Sequence, residues 1–127
     1  MLVDAPCTTS GVFRRNPDAR WRLTEAEVDE HVARQVAILV RACDAVRPGG
    51  VVAYVTCSIL AEENEAVVQR VLAECPSMAP RSLRTTWGDA LCDRLGATHH
   101  AHVGPGPTAA DPDGFYVALL AKAAPST

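Results

Sequence analysis

The sequence predicts an α/β fold that corresponds to one half of a doubly wound sheet. The first observation is the order of elements along the chain, which is strand, helix, strand, helix, weak strand and strand. The second is the size, because 127 residues are enough for one domain with a single core. The third is the composition, since 48% apolar and 21% charged residues are typical of a folded globular chain.

The first strand is predicted at the N-terminus and is followed by a basic loop. Met1–Val3 is an apolar stub that ends at Asp4. Residues 5–23 contain several turn formers, which disfavour regular structure. A solvated surface is the commoner fate of a charged cluster, and contact with phosphates is the alternative. The cluster consists of Arg14, Arg15, Arg20 and Arg22.

A long amphipathic helix is predicted next. Thr24 and Glu27 have the spacing of a capping box. The helix is expected to span about six turns and to end at Arg47-Pro48-Gly49-Gly50. Apolar residues recur every three or four positions, as one buried helix face requires, at Val28, Val32, Val36, Leu39, Cys43 and Val46.

A second strand and a second helix follow. Residues 51–55 are a continuous apolar run of strand length, which is typical of a strand covered on both faces. The next helix is expected from about Ala61 to Glu74. Its acidic first turn, Glu62 and Glu63, suits the positive end of a helix dipole. Its predicted buried side consists of Val67, Val68, Val71 and Leu72.

The last third of the chain has weaker signals and one clear strand. Residues 81–86 are predicted as a short strand and residues 105–113 as a loop rich in turn formers. Residues 115–120 form a clear apolar strand. We therefore expect one domain over residues 1–122 and a disordered tail over residues 123–127.

Three histidines before the last strand are predicted to lie in a surface loop. His99, His100 and His102 are close in sequence but lack a further ligand at helical spacing. We therefore predict no metal site.

Charge and apolar content limit the partners and the compartment. The net charge of −3 gives no long-range attraction to nucleic acid, so a basic site must be local. The sequence has neither the run of roughly 18 apolar residues that a membrane span needs nor a signal peptide pattern. The five cysteines are odd in number and include no CxxC pair, which favours free thiols in a reducing compartment. We expect a soluble, cytoplasmic protein without membrane contacts.

Two cysteines stand at the ends of apolar runs. Cys7 follows the first predicted strand, and Cys57 follows the second. If these strands are parallel neighbours, both thiols reach the same end of the sheet, where α/β folds place their chemistry. A strand-end cysteine is more often a small buried hydrophobic residue, and we interpret the other three in that way. These are Cys43, Cys75 and Cys92.

Several short motifs occur in a fixed order along the chain. They are Asp4-Ala5-Pro6-Cys7-Thr8-Thr9-Ser10-Gly11, Arg14-Arg15-Asn16-Pro17-Asp18 with Trp21, Arg47-Pro48-Gly49-Gly50, Thr56-Cys57-Ser58, Glu62-Glu63-Asn64-Glu65 and Asp113-Gly114-Phe115-Tyr116. In this order they resemble the motifs of the Sun/Fmu family of RNA cytosine carbon-5 methyltransferases. The resemblance covers nearly all of residues 2–122 but only the C-terminal catalytic half of the family.

The resemblance implies a fold, a cofactor and a partner. The fold would be the C-terminal half of a Rossmann-like methyltransferase sheet, mostly parallel with an antiparallel C-terminal strand, and with its N-terminal half missing. The cofactor would be S-adenosylmethionine, and the partner would be RNA, with ribosomal RNA favoured over transfer RNA.

The resemblance also implies roles for individual residues. Cys57 would attack carbon 6 of cytosine, and Cys7 would help to break the resulting adduct. Asp4 would lie beside the methyl donor and the target base. We expect the dipole of the second helix to favour the Cys57 thiolate. The candidate RNA contacts are Arg14, Arg15 and Arg20.

The sequence departs from the family pattern in two places. Thr9 stands in a segment where family members usually carry glycine, so its side chain is expected to alter the turn or crowd the base. The glycine loop that holds the methyl donor is not found, and Gly104-Pro105-Gly106 is only a weak match. The chain alone is therefore expected to be inactive. With strands missing, the edge of Leu2–Asp4 is expected to be unprotected and to promote self-association.

Two other functions stay open at this point. Beside the favoured methyltransferase, the first alternative is an RNA-binding module without catalysis, with strongly salt-dependent binding. The second is a thiol-dependent enzyme of another kind on a flavodoxin-like sheet. The second of these would react without a methyl donor or RNA.

Overall fold

The structure, a computed structural model, describes residues 1–104 and 112–126. Most of the predicted loop at 105–113, Pro105 and Gly106 of the weak glycine match, and the end of the predicted tail lie outside the described residues. The elements are β1 (Leu2–Asp4), a 3₁₀ turn (Ser10–Val12), α1 (Ala19–Arg22), α2 (Glu25–Ala45), β2 (Val51–Thr56), α3 (Glu65–Glu74), β3 (Met78–Pro80), α4 (Arg84–Trp87), α5 (Asp89–Leu95), β4 (His100–Val103) and β5 (Phe115–Lys122).

The five strands form one mixed sheet. Its order is β1-β2-β5-β3, and β4 pairs with β5 as well. β1 and β2 are parallel, whereas β5 is antiparallel to β2, β3 and β4. The predicted reversal of the C-terminal strand is confirmed. Apart from β5, the strands run in the same direction, as expected for a mostly parallel sheet. The expectation is wrong for the hydrogen-bonded pairs, most of which are antiparallel, because the reversed strand β5 lies between the others.

β1 lies at one end of this order, and β2 is its neighbour. The prediction of an edge strand is therefore confirmed, whereas self-association through it stays a prediction. β1 is short, and Leu2 on it has 69% of its surface exposed.

The core lies on both faces of the sheet. On one face, α2 and α3 cover β2, whose alternate residues Val52, Tyr54 and Thr56 are fully buried. The opposite side of β2 is partly buried and packs against a smaller cluster. That cluster consists of Leu83, Cys92, Ala97, Ala101, Val117 and Leu119. β2 is thus covered on both faces, as its apolar run predicts. Its side chains are more deeply buried on the face that the helices cover.

Local signals set the bounds of α2. The Thr24 hydroxyl accepts from the Glu27 N–H at 3.3 Å, and the Glu27 carboxylate accepts from the Thr24 N–H at 2.8 Å. This is the predicted capping box. The helix ends at Ala45, and the following turn uses Gly49 at a φ of 75°, a conformation that favours glycine.

α3 begins later than predicted. Residues 61–64 form turns, and the helix starts at Glu65. The reason is that the side chains of Glu63 and Asn64 are buried in hydrogen bonds to other segments. Glu62 and Glu63 therefore do not form the first helical turn.

Two predictions for the later part of the chain are also wrong. The short strand lies at β3 rather than at residues 81–86, where Arg81 still donates to the Leu119 carbonyl at 2.9 Å. The chain then turns, because the Ser82 hydroxyl accepts from the Arg84 N–H at 3.2 Å. His100 and His102 lie in β4 rather than in a loop, since β4 gains its hydrogen bonds from β5.

No helix within the described ranges is both long enough and apolar enough to cross a bilayer.

Candidate active site

The structure brings the two strand-end thiols into contact. The sulfur atoms of Cys7 and Cys57 are 3.2 Å apart. Cys57 follows β2 directly, and Cys7 follows the parallel neighbour β1. Cys7 is buried and Cys57 is partly exposed. The two thiols therefore meet at one end of the sheet, as the parallel strand ends predict.

Main-chain hydrogen bonds hold the two cysteine segments together. The Ala5 N–H donates to the Val55 carbonyl at 2.9 Å and extends the β1–β2 ladder. Beyond Cys7 the loop returns, and the Gly11 N–H donates to the Cys57 carbonyl at 2.8 Å. The Gly11 carbonyl accepts from the Gly114 N–H at 2.8 Å, just before β5. Three segments thus meet at Gly11.

The backbone at Gly11 leaves no room for a side chain. A Cβ atom there would lie 2.1 Å from the Gly114 carbonyl oxygen and 2.7 Å from the Cys57 carbonyl oxygen. Both are backbone atoms, which cannot rotate away. Glycine is therefore required at this position.

Thr9 adopts the left-handed conformation, with φ 59° and ψ 27°. Its hydroxyl donates to the Thr8 carbonyl at 2.7 Å. A β-branched residue is disfavoured in this region, and glycine is favoured. The expected effect of Thr9 on the turn is therefore a strained backbone immediately before the 3₁₀ turn.

A buried carboxylate that the sequence analysis assigned to a helix end lies in the centre of the site. Glu63 accepts hydrogen bonds from the Thr8 N–H at 2.9 Å and from the Thr8 hydroxyl at 2.7 Å. It also accepts from the Ser58 hydroxyl and from the Gln35 side-chain amide, the latter at 3.1 Å. Its side chain is fully buried. The feature of the sequence that could have indicated this role of Glu63 is the polar cluster that follows β2 and Cys57.

Neighbouring side chains fix the turn that carries Cys57. The Thr56 hydroxyl donates to the Asn64 side-chain oxygen at 2.5 Å, and the Asn64 amide donates to the Ser58 carbonyl at 2.8 Å. The Ser10 and Ser58 hydroxyls are 3.0 Å apart. The Tyr54 hydroxyl donates to the Glu63 carbonyl at 2.7 Å. The turn is therefore rigid on the side that faces the protein interior.

The environment of Cys7 keeps its thiol protonated. Burial, followed by the hydrogen bond to Cys57, raises the pKa of Cys7 to about 12. α3 begins at Glu65, later than predicted, but its N-cap residue Asn64 is hydrogen-bonded to Thr56 and to the Ser58 carbonyl, the two neighbours of Cys57. The expected helix dipole at this thiol stays a prediction.

Asp4 ends β1 and is exposed, with Val55 of β2 as its partner in the ladder. Its carboxylate is thus free to meet a ligand near the end of the sheet that carries Cys7 and Cys57.

The structure separates the candidate RNA-binding arginines into two groups. Arg14 and Arg15 form ion pairs with Asp113, at 3.5 Å and 2.8 Å. Arg20 lies on α1, with its guanidinium 5.7 Å from the ring centre of Trp21, a side chain that is 83% exposed.

A cavity of about 270 Å³ opens beside Cys7. It lies between the cysteine loop and the first turns of α2. Its lining residues are Cys7, Thr8, Ala19, Arg22, Leu23, Glu27 and His31. Cys57 is not among these lining residues. A larger cavity of about 410 Å³ borders neither cysteine, so we place the site at the cavity beside Cys7.

The histidines form a separate cluster. His102 pairs with Glu65 at the start of α3, and His100 lies 3.4 Å from the Tyr116 hydroxyl. Within residues 1–104 and 112–126, no group of three or more metal-binding side chains is arranged to hold an ion.

Comparison with known proteins identifies relatives over nearly the whole chain. The family model described as 16S rRNA methyltransferase RsmB/F matches residues 1–121. Ribosomal RNA small subunit methyltransferase B of Cronobacter sakazakii is 34% identical over 122 residues, which are 96% of this chain and 26% of the relative. The Thermus thermophilus enzyme of the same name is 35% identical and is covered over 29% of its length. The chain thus spans about a quarter of the length of these curated relatives.

Solved structures agree with this result. The crystal structure of PH0851 matches with a TM-score of 0.75 and 34% identity, over 95% of this chain and 26% of that one. The crystal structure of NSun6 from Pyrococcus horikoshii with SFG matches with a TM-score of 0.67 and 26% identity, over 95% of this chain and 29% of that one.

Proposed function

Because this chain belongs to the 16S rRNA methyltransferase RsmB/F family, we propose that its paired thiols serve the carbon-5 methylation of cytosine in ribosomal RNA. The observation that carries the proposal is the 3.2 Å contact between Cys7 and Cys57 at the shared end of β1 and β2. Two sulfurs at this distance suit a reaction in which one forms a bond to the substrate and the other assists its release.

The chemistry requires a nucleophile on the base. Carbon 5 of cytosine is weakly nucleophilic until a thiolate adds to carbon 6 and converts the ring to an enamine. S-adenosylmethionine, when bound, supplies the methyl group that carbon 5 takes up. A base then takes the carbon-5 proton, the electron pair of that carbon–hydrogen bond re-forms the double bond between carbons 5 and 6, and the bond between carbon 6 and sulfur breaks, so that Cys57 leaves as a thiolate.

Exposure and protonation support different roles for the two thiols. Cys57 directly follows β2 and is more exposed than Cys7, so we assign it the attack on carbon 6. Cys7 is buried and holds its proton, because its pKa is raised to about 12. Its sulfur is close enough to exchange a proton with Cys57, which suits a role in the breakdown of the adduct.

Asp4 is the one candidate that we assign to the methyl donor and the base. An exposed carboxylate at the end of β1 fits the positively charged amino group of S-adenosylmethionine, and it can also accept a hydrogen bond from the exocyclic amine of cytosine. We propose that the other donor contacts come from the part of the family's length that this chain does not span, so that the chain alone is inactive.

RNA contact is proposed at the arginine segment and at the cavity beside Cys7. Arg14 and Arg15 have forked guanidinium groups suited to phosphate. Both already bind one carboxylate, that of Asp113. Arg20 and the exposed Trp21 offer flat surfaces on which an unpaired base can stack. A flipped or single-stranded nucleotide would be needed for a thiol to reach carbon 6.

Methyl transfer from tritiated S-adenosylmethionine to bulk ribosomal RNA tests this function. We would compare the chain alone with a chimera in which the preceding part of the Thermus thermophilus relative is joined to Met1. Transfer by the chimera and not by the chain is expected. In the chimera, Cys57→Ala should abolish transfer, and Cys7→Ala should leave protein covalently bound to RNA. Cys92→Ala, a buried cysteine away from the site, is the control.

Two results would contradict the proposal. Full activity of the Cys57→Ala chimera would exclude this thiol as the nucleophile. Salt-dependent RNA binding by an inactive chimera that forms no covalent adduct would support a binding module instead.

We also propose self-association through β1. The strand lies at the sheet edge, and Met1 and Leu2 are 55% and 69% exposed. Unpaired strand edges promote pairing with another chain. Size-exclusion chromatography is expected to show species larger than a monomer, and Leu2→Lys should reduce them. A monomer at every concentration would contradict this expectation.

A further inference from the structure

The side chain of Glu63 is fully buried, yet it belongs to neither a helix nor a strand. Removing a carboxylate from water is costly unless hydrogen bonds replace the lost hydration. Here both carboxylate oxygens are satisfied by donors from other segments. The identity of those donors indicates what the carboxylate does.

The donors are the residues that flank the two thiols. Thr8, which follows Cys7, donates its main-chain N–H and its hydroxyl to Glu63. Ser58, which follows Cys57, donates its hydroxyl to the same carboxylate. One side chain therefore ties together the two turns that carry the sulfur atoms.

A third donor fixes the other side of Cys7. The Gln35 amide on α2 donates to Glu63 at 3.1 Å and to the Pro6 carbonyl at 2.9 Å. Pro6 precedes Cys7 and Thr8 follows it, so both neighbours of this thiol are linked to the same carboxylate.

The main chain at Glu63 and the next residue are also held in place. The hydroxyl of the buried Tyr54 on β2 donates to the Glu63 carbonyl at 2.7 Å. Asn64, the next residue, holds Thr56 and the Ser58 carbonyl. Glu63 thus connects the rigid end of β2 to a loop that has little regular structure of its own.

We infer that Glu63 is a positioning residue whose buried carboxylate sets the separation of the Cys7 and Cys57 sulfur atoms. It touches neither a thiol nor a substrate, and it acts through Thr8 and Ser58. The relevance of this role to methyl transfer rests on the proposed function, whereas the role itself concerns the geometry of two thiols and can be measured without RNA.

The readout is the equilibrium of disulfide formation between Cys7 and Cys57 in glutathione buffers. The two thiols lose two protons and two electrons and form one S–S bond, and oxidised glutathione is reduced to two thiol molecules. The equilibrium constant is an effective concentration of one thiol at the other, so it falls when their separation is no longer fixed. Peptide mass spectrometry would quantify the Cys7–Cys57 link.

Four variants separate positioning from general stability. Glu63→Ala is expected to lower the equilibrium constant at least about tenfold. Glu63→Gln should stay within about threefold of the parent protein, because its oxygen still accepts and the facing hydroxyls can reverse their roles. Thr8→Val removes one hydroxyl contact and should cost about threefold. Val71→Ala, which creates a cavity at a buried residue of α3 whose side chain makes none of these hydrogen bonds, should change stability to urea but not the equilibrium constant.

The possible results decide the question. If Glu63→Ala and Thr8→Val both leave the equilibrium constant unchanged while stability falls, Glu63 has only a general structural role. If Glu63→Ala does not fold, the result for Thr8→Val decides alone. If the equilibrium constant for the Cys7–Cys57 disulfide depends on Glu63 but the chimera transfers no methyl group, the proposed function is rejected and the positioning role is retained.

Discussion

Gly11→Ala is expected to disrupt the site more than any other single methyl group added to the loop. A Cβ atom at Gly11 would stand 2.1 Å from the Gly114 carbonyl oxygen and 2.7 Å from that of Cys57. Neither oxygen belongs to a rotatable side chain. The loop must therefore move away from both the β2 end and the start of β5.

The loss of folding free energy follows from the contacts that this movement breaks. Gly11 makes two main-chain hydrogen bonds, to Cys57 and to Gly114, each 2.8 Å long. Losing them costs about 1 kcal/mol each. Forcing a group into a packed site adds about 1–3 kcal/mol. The sum, about 3–5 kcal/mol, is a large share of the roughly 5–15 kcal/mol that stabilises a typical domain.

Urea unfolding followed by circular dichroism measures this loss. Gly104→Ala is the matched control, because no atom of residues 1–104 or 112–126 lies within 4 Å of a Cβ placed there. Alkylation of Cys57 by iodoacetamide reports separately on the site, and it should become faster as the loop moves away. A destabilisation of Gly11→Ala below about 1 kcal/mol would refute the contact argument.

Three further predictions concern neighbouring groups. Thr9→Gly is expected to stabilise the protein to urea by about 0.5–1 kcal/mol, since glycine relieves the left-handed strain; a loss of stability would contradict this. Iodoacetamide at pH 8 should label Cys57 faster than Cys7, because burial raises the pKa of Cys7. Peptide mapping measures the two rates, and the reverse order would be inconsistent with the assigned roles. Burial is the largest influence on Glu65 and would raise its pKa, but the hydrogen bond to His102, a backbone hydrogen bond and the charges of His102 and His100 together outweigh it and lower the pKa below its ordinary value of 4.5. The stabilisation from Glu65 is thus complete above that pH and lost below it, so His102→Ala should flatten the fall in urea stability between about pH 5 and pH 3.

Elements with local signals could be predicted from the sequence. The capping box at Thr24 and the turn at Gly49 depend on residues close in the chain, so the bounds of α2 follow from pattern alone. The meeting of Cys7 and Cys57 was also predictable, because the ends of parallel neighbours share one edge of a sheet.

Elements that depend on distant partners could not be predicted. β4 exists because β5 pairs with it, and its histidines alone carry no strand signal. The start of α3 depends on Asn64, whose side chain binds Thr56 and Ser58 instead of capping the helix. Such contacts are set by the tertiary fold and override local propensity.

Glu62 and Glu63 show why the sequence did not reveal that Glu63 lies at the centre of the site. Two adjacent carboxylates before a helix fit a dipole interaction equally well, and the sequence pattern does not distinguish them. In the structure Glu62 is exposed and Glu63 is fully buried. What separates them is the set of donors that converges on Glu63 from the loop after Cys7 and from α2.

The contact between the two sulfur atoms indicates how the thiols work together. Asn64, the N-cap residue of α3, holds both neighbours of Cys57, and the Cys57 sulfur contacts the Cys7 thiol at 3.2 Å. Because burial and this contact raise the pKa of Cys7, its thiol keeps its proton and can donate a hydrogen bond to the Cys57 sulfur. Under the proposed function, this hydrogen bond would be present before Cys57 attacks, and the same proton would pass to the Cys57 sulfur when it leaves carbon 6. The separation set by Glu63 would therefore be important at both stages.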